Sequence, residues 1–256
     1  DQVTNAKLAV NSVSATELAG NSVTSTQIAQ NQVGVSELNV SDGSSGQALT
    51  TNGSGTLSFA TIASGPTFKT FGTDSIMIGD DATGTINAAN YNTGLGVDVF
   101  SALTTGDYNT AVGSSALASN TTGTGNHAFG ALALDANTTG DYNVAIGDSA
   151  LGANTTADNN VAVGSAAMNT NTTGASNTAV GTEALRLNTT ASNNTAVGFK
   201  SLRANTTGDD NTVVGKEAGK EITTGNRNAI VGSRAGDALT DADDNVAMGA
   251  SALAVD

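Results

Sequence analysis

From Ser75 to the last residue the chain repeats every seventeen residues without a single insertion. Units begin at residues 75, 92, 109, 126, 143, 160, 177, 194, 211, 228 and 245. The fifth unit position is always glycine: 79, 96, 113, 130, 147, 164, 181, 198, 215, 232 and 249. The fourth is always apolar: Ile78, Leu95, Val112, Phe129, Ile146, Val163, Val180, Val197, Val214, Val231 and Met248. A disordered chain has no physical need for such a register. A stack of coils does, because each coil must place the same residue over its predecessor.

One unit shows how a coil is built. In Thr110-Ala111-Val112 the side chains alternate across a short strand, so Thr110 and Val112 share one face and Ala111 takes the other. Gly113 ends the strand where positive φ or close backbone approach is wanted. Ala116 and Leu117 make a second apolar patch, and Asn120-Thr121-Thr122-Gly123 is a second corner with turn chemistry. The expected fold class is all-β: a parallel β-solenoid or β-roll with 17-residue coils. At ~4.8 Å per coil, eleven coils make a rod on the order of 50 Å long.

Such a core is thin. Aromatics are 4% of the chain, which has no Trp and 31 glycines, and its apolar residues are mostly Ala, Val and Leu. Large side chains normally supply much of a buried core. The expectation is that neighbouring copies add burial. The strand face carrying Ala111, Ala128, Ala145, Ala162, Ala179 and Ala196 is small enough to let them approach.

Two other segments precede the coils. Residues 1–40 follow a ten-residue period, with Val3, Val13, Val23 and Val33 aligned, and Leu8, Leu18, Ile28 and Leu38 aligned. They read as a decapeptide-repeat stalk whose units are too small to fold alone. Residues 41–74 are a Gly/Ser-rich adaptor. Within it, β-forming residues on both sides of Asn52-Gly53 predict a hairpin. Residues 75–256 are the solenoid shaft. Asp1 opens directly into repeats, which fits a processed or partial product. The last unit stops at Asp256 without a polar cap, so the native chain is expected to continue.

The composition excludes several chemistries. A net charge of -14 argues against nucleic acid as a partner. No apolar run approaches the ~18 residues of a membrane span, so no membrane insertion is expected. The chain has no cysteine, hence no thiolate site. His127 stands alone, without a nucleophile beside it, and reads as a drifted strand residue. Asp107, Asp141, Asp158, Asp209 and Asp243 recur at position sixteen, followed by Asp210 and Asp244 at seventeen. Calcium needs six to eight oxygens, so these read as turn residues rather than a metal site. A polysaccharide depolymerase needs a carboxylate pair in a cleft between irregular loops, and the unbroken register leaves no insertion to build one. No enzyme activity, catalytic residue, metal or cofactor is therefore expected.

Two features remain. The corners at Asn120, Asn137, Asn154, Asn171, Asn188 and Asn205 are expected to stack into amide and hydroxyl ladders. An ice-binding reading is weaker, since these threonines are adjacent and lie in a turn. Seven of the nine basic residues fall between Arg186 and Arg234. Position seven reads Glu183, Lys200, Glu217, Arg234, a ladder of alternating sign. Position ten reads Arg186, Arg203, Lys220, Asp237, either a site for an anionic glycan or a solvated face balanced by nearby Glu.

The Asn-Thr-Ala-Val-Gly…Ala-Leu…Asn-Thr-Thr-Gly units resemble repeats of bacteriophage tail fibres, especially those of marine phages. Val144-Ala145-Ile146-Gly147 is similar to the head repeats of trimeric autotransporter adhesins, which use a shorter period. Asn11-Ser12-Val13…Glu17-Leu18-Ala19 and Gly46-Gln47-Ala48-Leu49-Thr50 resemble fibre-protein N-terminal regions. The resemblance implies a homotrimer, separate or intertwined, and a structural shaft serving host attachment. It would be anchored on a phage baseplate or tail, outside the cell. A tip beyond this chain would hold a host glycan or protein. The alternative it implies is a trimeric bacterial surface adhesin or filament on a cell-surface anchor.

Overall fold

The computed structural model describes residues 88–254 throughout and, ahead of them, four strands: β1 Gln47–Thr51, β2 Leu57–Thr61, β3 Thr67–Phe71 and β4 Ser75–Gly79. The decapeptide repeats lie outside the described residues. The chain divides into two units, residues 1–63 and 64–256. In the first, β1 and β2 pair antiparallel, with Leu49 opposite Phe59, as their sequences on either side of Asn52-Gly53 predict.

The second unit is an all-β solenoid. Its strands after β4 are three residues long: β5 Thr93–Leu95, β6 Thr110–Val112, β7 His127–Phe129, β8 Val144–Ile146 and β9 Val161–Val163, then β10 Thr178–Val180, β11 Thr195–Val197, β12 Thr212–Val214, β13 Ala229–Val231 and β14 Val246–Met248. They form a 12-stranded sheet in strict order from β3 to β14. β3 runs antiparallel to β4, so the sheet begins at Thr67, ahead of the first repeat. From β4 onward every pairing is parallel and joins a residue to its equivalent one coil later, as Thr178 to Thr195.

The faces of the sheet are the reverse of the sequence expectation. Ala111, Ala128, Ala145, Ala162, Ala179 and Ala196 are fully buried inside their own coil, so they offer no surface to a neighbouring chain. Thr110 and Val112 point outward instead. The cause is the narrowness of a seventeen-residue coil. A leucine from position nine already fills the middle, as Leu117, Leu134, Leu151, Leu185 and Leu202 do, and only a methyl fits opposite it.

Where one inward position shrinks, another grows. The coil from Asn211 has Gly219 at position nine, with Val213 at three and Ile222 at twelve. The coil from Asn228 has Gly236, Ile230 and Leu239 at the same places. The coil from Asn92 has Gly94 at three, with Phe100 and Leu103 filling the space. Each coil thus keeps its core volume with different side chains, the exchange that packed cores tolerate best.

Tight turning costs backbone strain. Residues at positions seven, nine and seventeen adopt left-handed φ in coil after coil, for example Ala166 at 54°, Met168 at 49° and Ser176 at 59°. An L-residue there costs roughly 1–2 kcal/mol, of which glycine's greater chain entropy returns about 0.5–1 kcal/mol. Ala166→Gly, which deletes only a methyl, is therefore expected to stabilise the protein by about 0.5–1 kcal/mol in urea unfolding. A destabilised variant would mean that the strain is relieved elsewhere.

Candidate functional site

Most side chains that looked available for chemistry are committed to joining coils. Position one is asparagine from Asn92 to Asn245, and Asn109 through Asn211 are fully buried. Each accepts the backbone N–H of the next: Asn126 N donates to Asn109 Oδ1 at 2.9 Å. Position twelve forms a second buried column, with Asn137 Nδ2 donating to Asn120 Oδ1 at 2.9 Å. In the coils from Asn109 to Asn194 the two columns converge on one carbonyl. Asn109 Nδ2 and Asn120 Nδ2 both donate to Gly123 O at 2.9 Å. A buried amide is tolerated when its donors and acceptors are met, and the clamp meets them until Asn205, whose Oδ1 is left without a partner where the next coil has Ile222 in place of asparagine.

The corner threonines behave as the ladder reading expects. Thr121 Oγ1 donates to Thr138 O at 3.0 Å, and the same bond recurs from Thr138 to Thr155 and from Thr172 to Thr189. The position-sixteen aspartates act as caps. Thr124 N donates to Asp141 Oδ1, Asp141 N to Asp158 Oδ1 and Ser192 N to Asp209 Oδ1, at 2.6–2.7 Å. Among the described residues no group of three His, Asp or Glu is placed to hold a metal ion. Asp244 pairs with Arg227 at 2.7 Å, which holds its carboxyl below the usual range. Asp210 lies exposed one coil before Arg227. His127 is exposed on the outward sheet face between Thr110 and Val144.

The charged coils follow a diagonal rather than two straight ladders. Backbones at position seven do stack, Lys200 N reaching Thr182 O and Glu217 N reaching Phe199 O. The ion pairs cross columns instead. Glu183 at position seven takes Arg203 Nε at 2.8 Å from position ten of the next coil, and Arg186 lies 3.8 Å away in its own coil. Lys220 pairs with Glu221 at 3.2 Å, and Arg234 with Asp237 at 3.3 Å. Lys200 rests over the Phe199 ring, 4.9 Å from its centre. Position ten is thus a face balanced by its neighbours rather than an open row of cations.

The Arg203 guanidinium bonded to Glu183 holds that carboxyl below its ordinary value. A depressed folded pKa gives stability that is present above the ordinary glutamate range and lost as pH falls through the folded value. Arg203→Gln is expected to cost about 0.5–1 kcal/mol at neutral pH and low salt, a partly exposed pair being screened. The loss should vanish at acid pH and shrink in 1 M salt, read by melting at each condition.

What remains uncommitted is the outward sheet face. Its fourth-position column runs Leu95, Val112, Phe129, Ile146, Val163, Val180, Val197, Val214, Val231, Met248, one apolar side chain per strand. Leu95 is 48% exposed, Phe129 41%, Ile146 42% and Val231 42%. A second exposed column lies at position seventeen, where all three tyrosines of the chain stand. Tyr91 and Tyr108 stack with ring centres 4.9 Å apart, and Tyr142 covers Gly125. Compared with family models, curated proteins and solved structures, the chain finds no match in any of the three.

Proposed function

We propose that this chain is the shaft of a homotrimeric phage tail fibre serving host attachment. Its copies pack through the outward sheet face, and the rod transmits reach and stiffness between an anchor and a receptor-binding tip. The observation that carries this reading is the unbroken apolar column from Leu95 to Met248. At ~4.8 Å per strand it makes a strip over 40 Å long. Contiguous apolar surface of that extent marks an interface. Three-fold symmetry and a place on a virion tail rest on the resemblance of the repeats. No described helix is long and apolar enough to cross a membrane.

The same physics serves a trimeric bacterial surface adhesin or filament, which is the alternative. An ice-binding role is less well supported. The corner hydroxyls are spent on coil-to-coil bonds, and Phe129 and Ile146 interrupt the flatness that an ordered Thr-x-Val face would need. Analytical ultracentrifugation is expected to give a trimer with an elongated frictional ratio, and Val180→Asp, which sets like charges together on the packed face, is expected to dissociate it. A compact monomer, or a trimer indifferent to Val180→Asp, would sink the reading.

A further inference from the structure

The three tyrosines of the chain, Tyr91, Tyr108 and Tyr142, all stand in column seventeen, and the first two occupy successive coils. Tyr91 and Tyr108 share one backbone conformation, with φ of 57° at both. Tyr108 N donates to Asn90 O at 3.0 Å, which holds one residue over the other. Two like side chains leaving like backbones one coil apart run side by side. Their rings are accordingly stacked, with centres 4.9 Å apart and 9° between the planes. Tyr91 is 46% exposed and Tyr108 56%. Gly125 follows them in the column, and the Tyr142 ring lies against it.

A phenol readily loses one electron and its proton to an oxidant. The radical that results carries much of its unpaired spin on the two Cε carbons, and two such radicals join there. The chain has no cysteine and no tryptophan, the other side chains that trap a radical of this kind. A radical formed on Tyr91 or Tyr108 therefore has one partner close by, the ring stacked on it. The stack must become an edge-to-edge contact before the carbons can bond. Turning each ring about its Cβ–Cγ bond does this, and that torsion has broad wells. Both rings have solvent on one side in which to turn.

We propose that Tyr91 and Tyr108 are an oxidative cross-linking site, at which a haem peroxidase and hydrogen peroxide join two successive coils by a dityrosine bond. Each phenol gives one electron and one proton to the oxidant. A carbon–carbon bond then forms between one Cε of each ring. The hydrogens on those two carbons pass to the two oxygens as the rings regain their aromaticity. In sum the protein loses two hydrogen atoms, and one hydrogen peroxide is reduced to two waters. The bond closes a loop of one repeat. It restricts the unfolded chain as a disulfide would, in a protein without cysteine. Both residues belong to one chain, so the site does not depend on the fibre assignment.

Treating the full chain with a haem peroxidase and hydrogen peroxide tests this. Dityrosine fluorescence is expected to appear in a product that runs as a single chain on a denaturing gel. Mass spectrometry should find that product lighter by two hydrogens, with the fragment carrying Tyr91 linked to the one carrying Tyr108. The yield per chain should not change on tenfold dilution of the protein, as befits a bond within one chain. Tyr108→Phe keeps the ring stack and should lower the single-chain product at least tenfold, whereas Tyr142→Phe should leave it unchanged. The linked protein should melt above the untreated one. Four results overturn the proposal: no dityrosine, dityrosine only between chains, a single-chain product that survives Tyr108→Phe, or complete linking with an unchanged Tm.

Discussion

Gly181→Val is expected to destabilise the protein by at least about 4 kcal/mol, the range reserved for strain or overpacking inside a fixed framework. Two costs combine. Gly181 has φ of 136°, a conformation that a β-branched residue resists. A Cβ there would also lie 2.4 Å from Gly198 O and 2.6 Å from its carbon, both backbone atoms of the next coil. That peptide cannot swing aside, because Gly198 N donates to Val180 O at 2.7 Å and Ser201 N to Gly198 O at 3.1 Å. Gly249 separates the two costs: its φ is 121° but nothing lies within 4 Å of its Cβ position. Gly249→Ala should therefore lose only the φ component and melt well above Gly181→Ala. Thr190→Val is the control, being exposed with a side chain free of hydrogen bonds, and should shift stability by less than ~0.5 kcal/mol. Ser192 would not serve as the control, because its Oγ accepts Ala175 N at 3.1 Å. Equal melting temperatures for Gly181→Val and Thr190→Val would refute the close-stacked corner.

The period, the corners and the parallel coil were legible because they are written in identity. Only glycine fits where Gly113 stacks under Gly130, so that residue recurs without exception. The direction of the strand faces was not legible. In a three-residue strand such as Thr110-Ala111-Val112, alternation fixes which residues share a face but not which face is inside. Size suggests that Val goes in and Ala out, and the narrow coil enforces the opposite. The position-one asparagines were missed because a polar residue beside a corner reads as turn chemistry. Their strict recurrence from Asn92 to Asn245 was the available signal, one unit short of that of the glycines. At position twelve the signal was the exchange of asparagine for Leu103, Ile222 and Leu239, which makes sense only at an inward position.

Asn177→Asp tests the buried amide column, and its effect should depend on pH with a definite sign. Asn177 is fully buried. Its Nδ2 donates to Ala191 O at 2.8 Å and to Asn160 Oδ1 at 3.2 Å, while its Oδ1 accepts Asn194 N at 2.9 Å. A carboxylate keeps the acceptor but turns its second oxygen toward two other acceptors, without water or a cation to offset the charge. The expected cost at pH 7 is about 3–5 kcal/mol, that of a buried charge without its partner. Desolvation and the facing oxygens raise the folded pKa of the new acid above its unfolded value near 3.9. The folded state then binds more protons than the unfolded state, so relative stability improves as pH falls through the folded pKa. Once protonated, the acid donates to Ala191 O and recovers part of the lost bond. Asn177→Ala, which has no group to titrate, should cost about 2–3 kcal/mol at every pH by leaving Asn194 N–H unpaired. Melting both variants against the parent protein from pH 7 to pH 4 separates them: the Asp deficit narrows and the Ala deficit does not. An Asp variant that tracks the parent across that range would place Asn177 at the surface and leave the coils without the column that joins them.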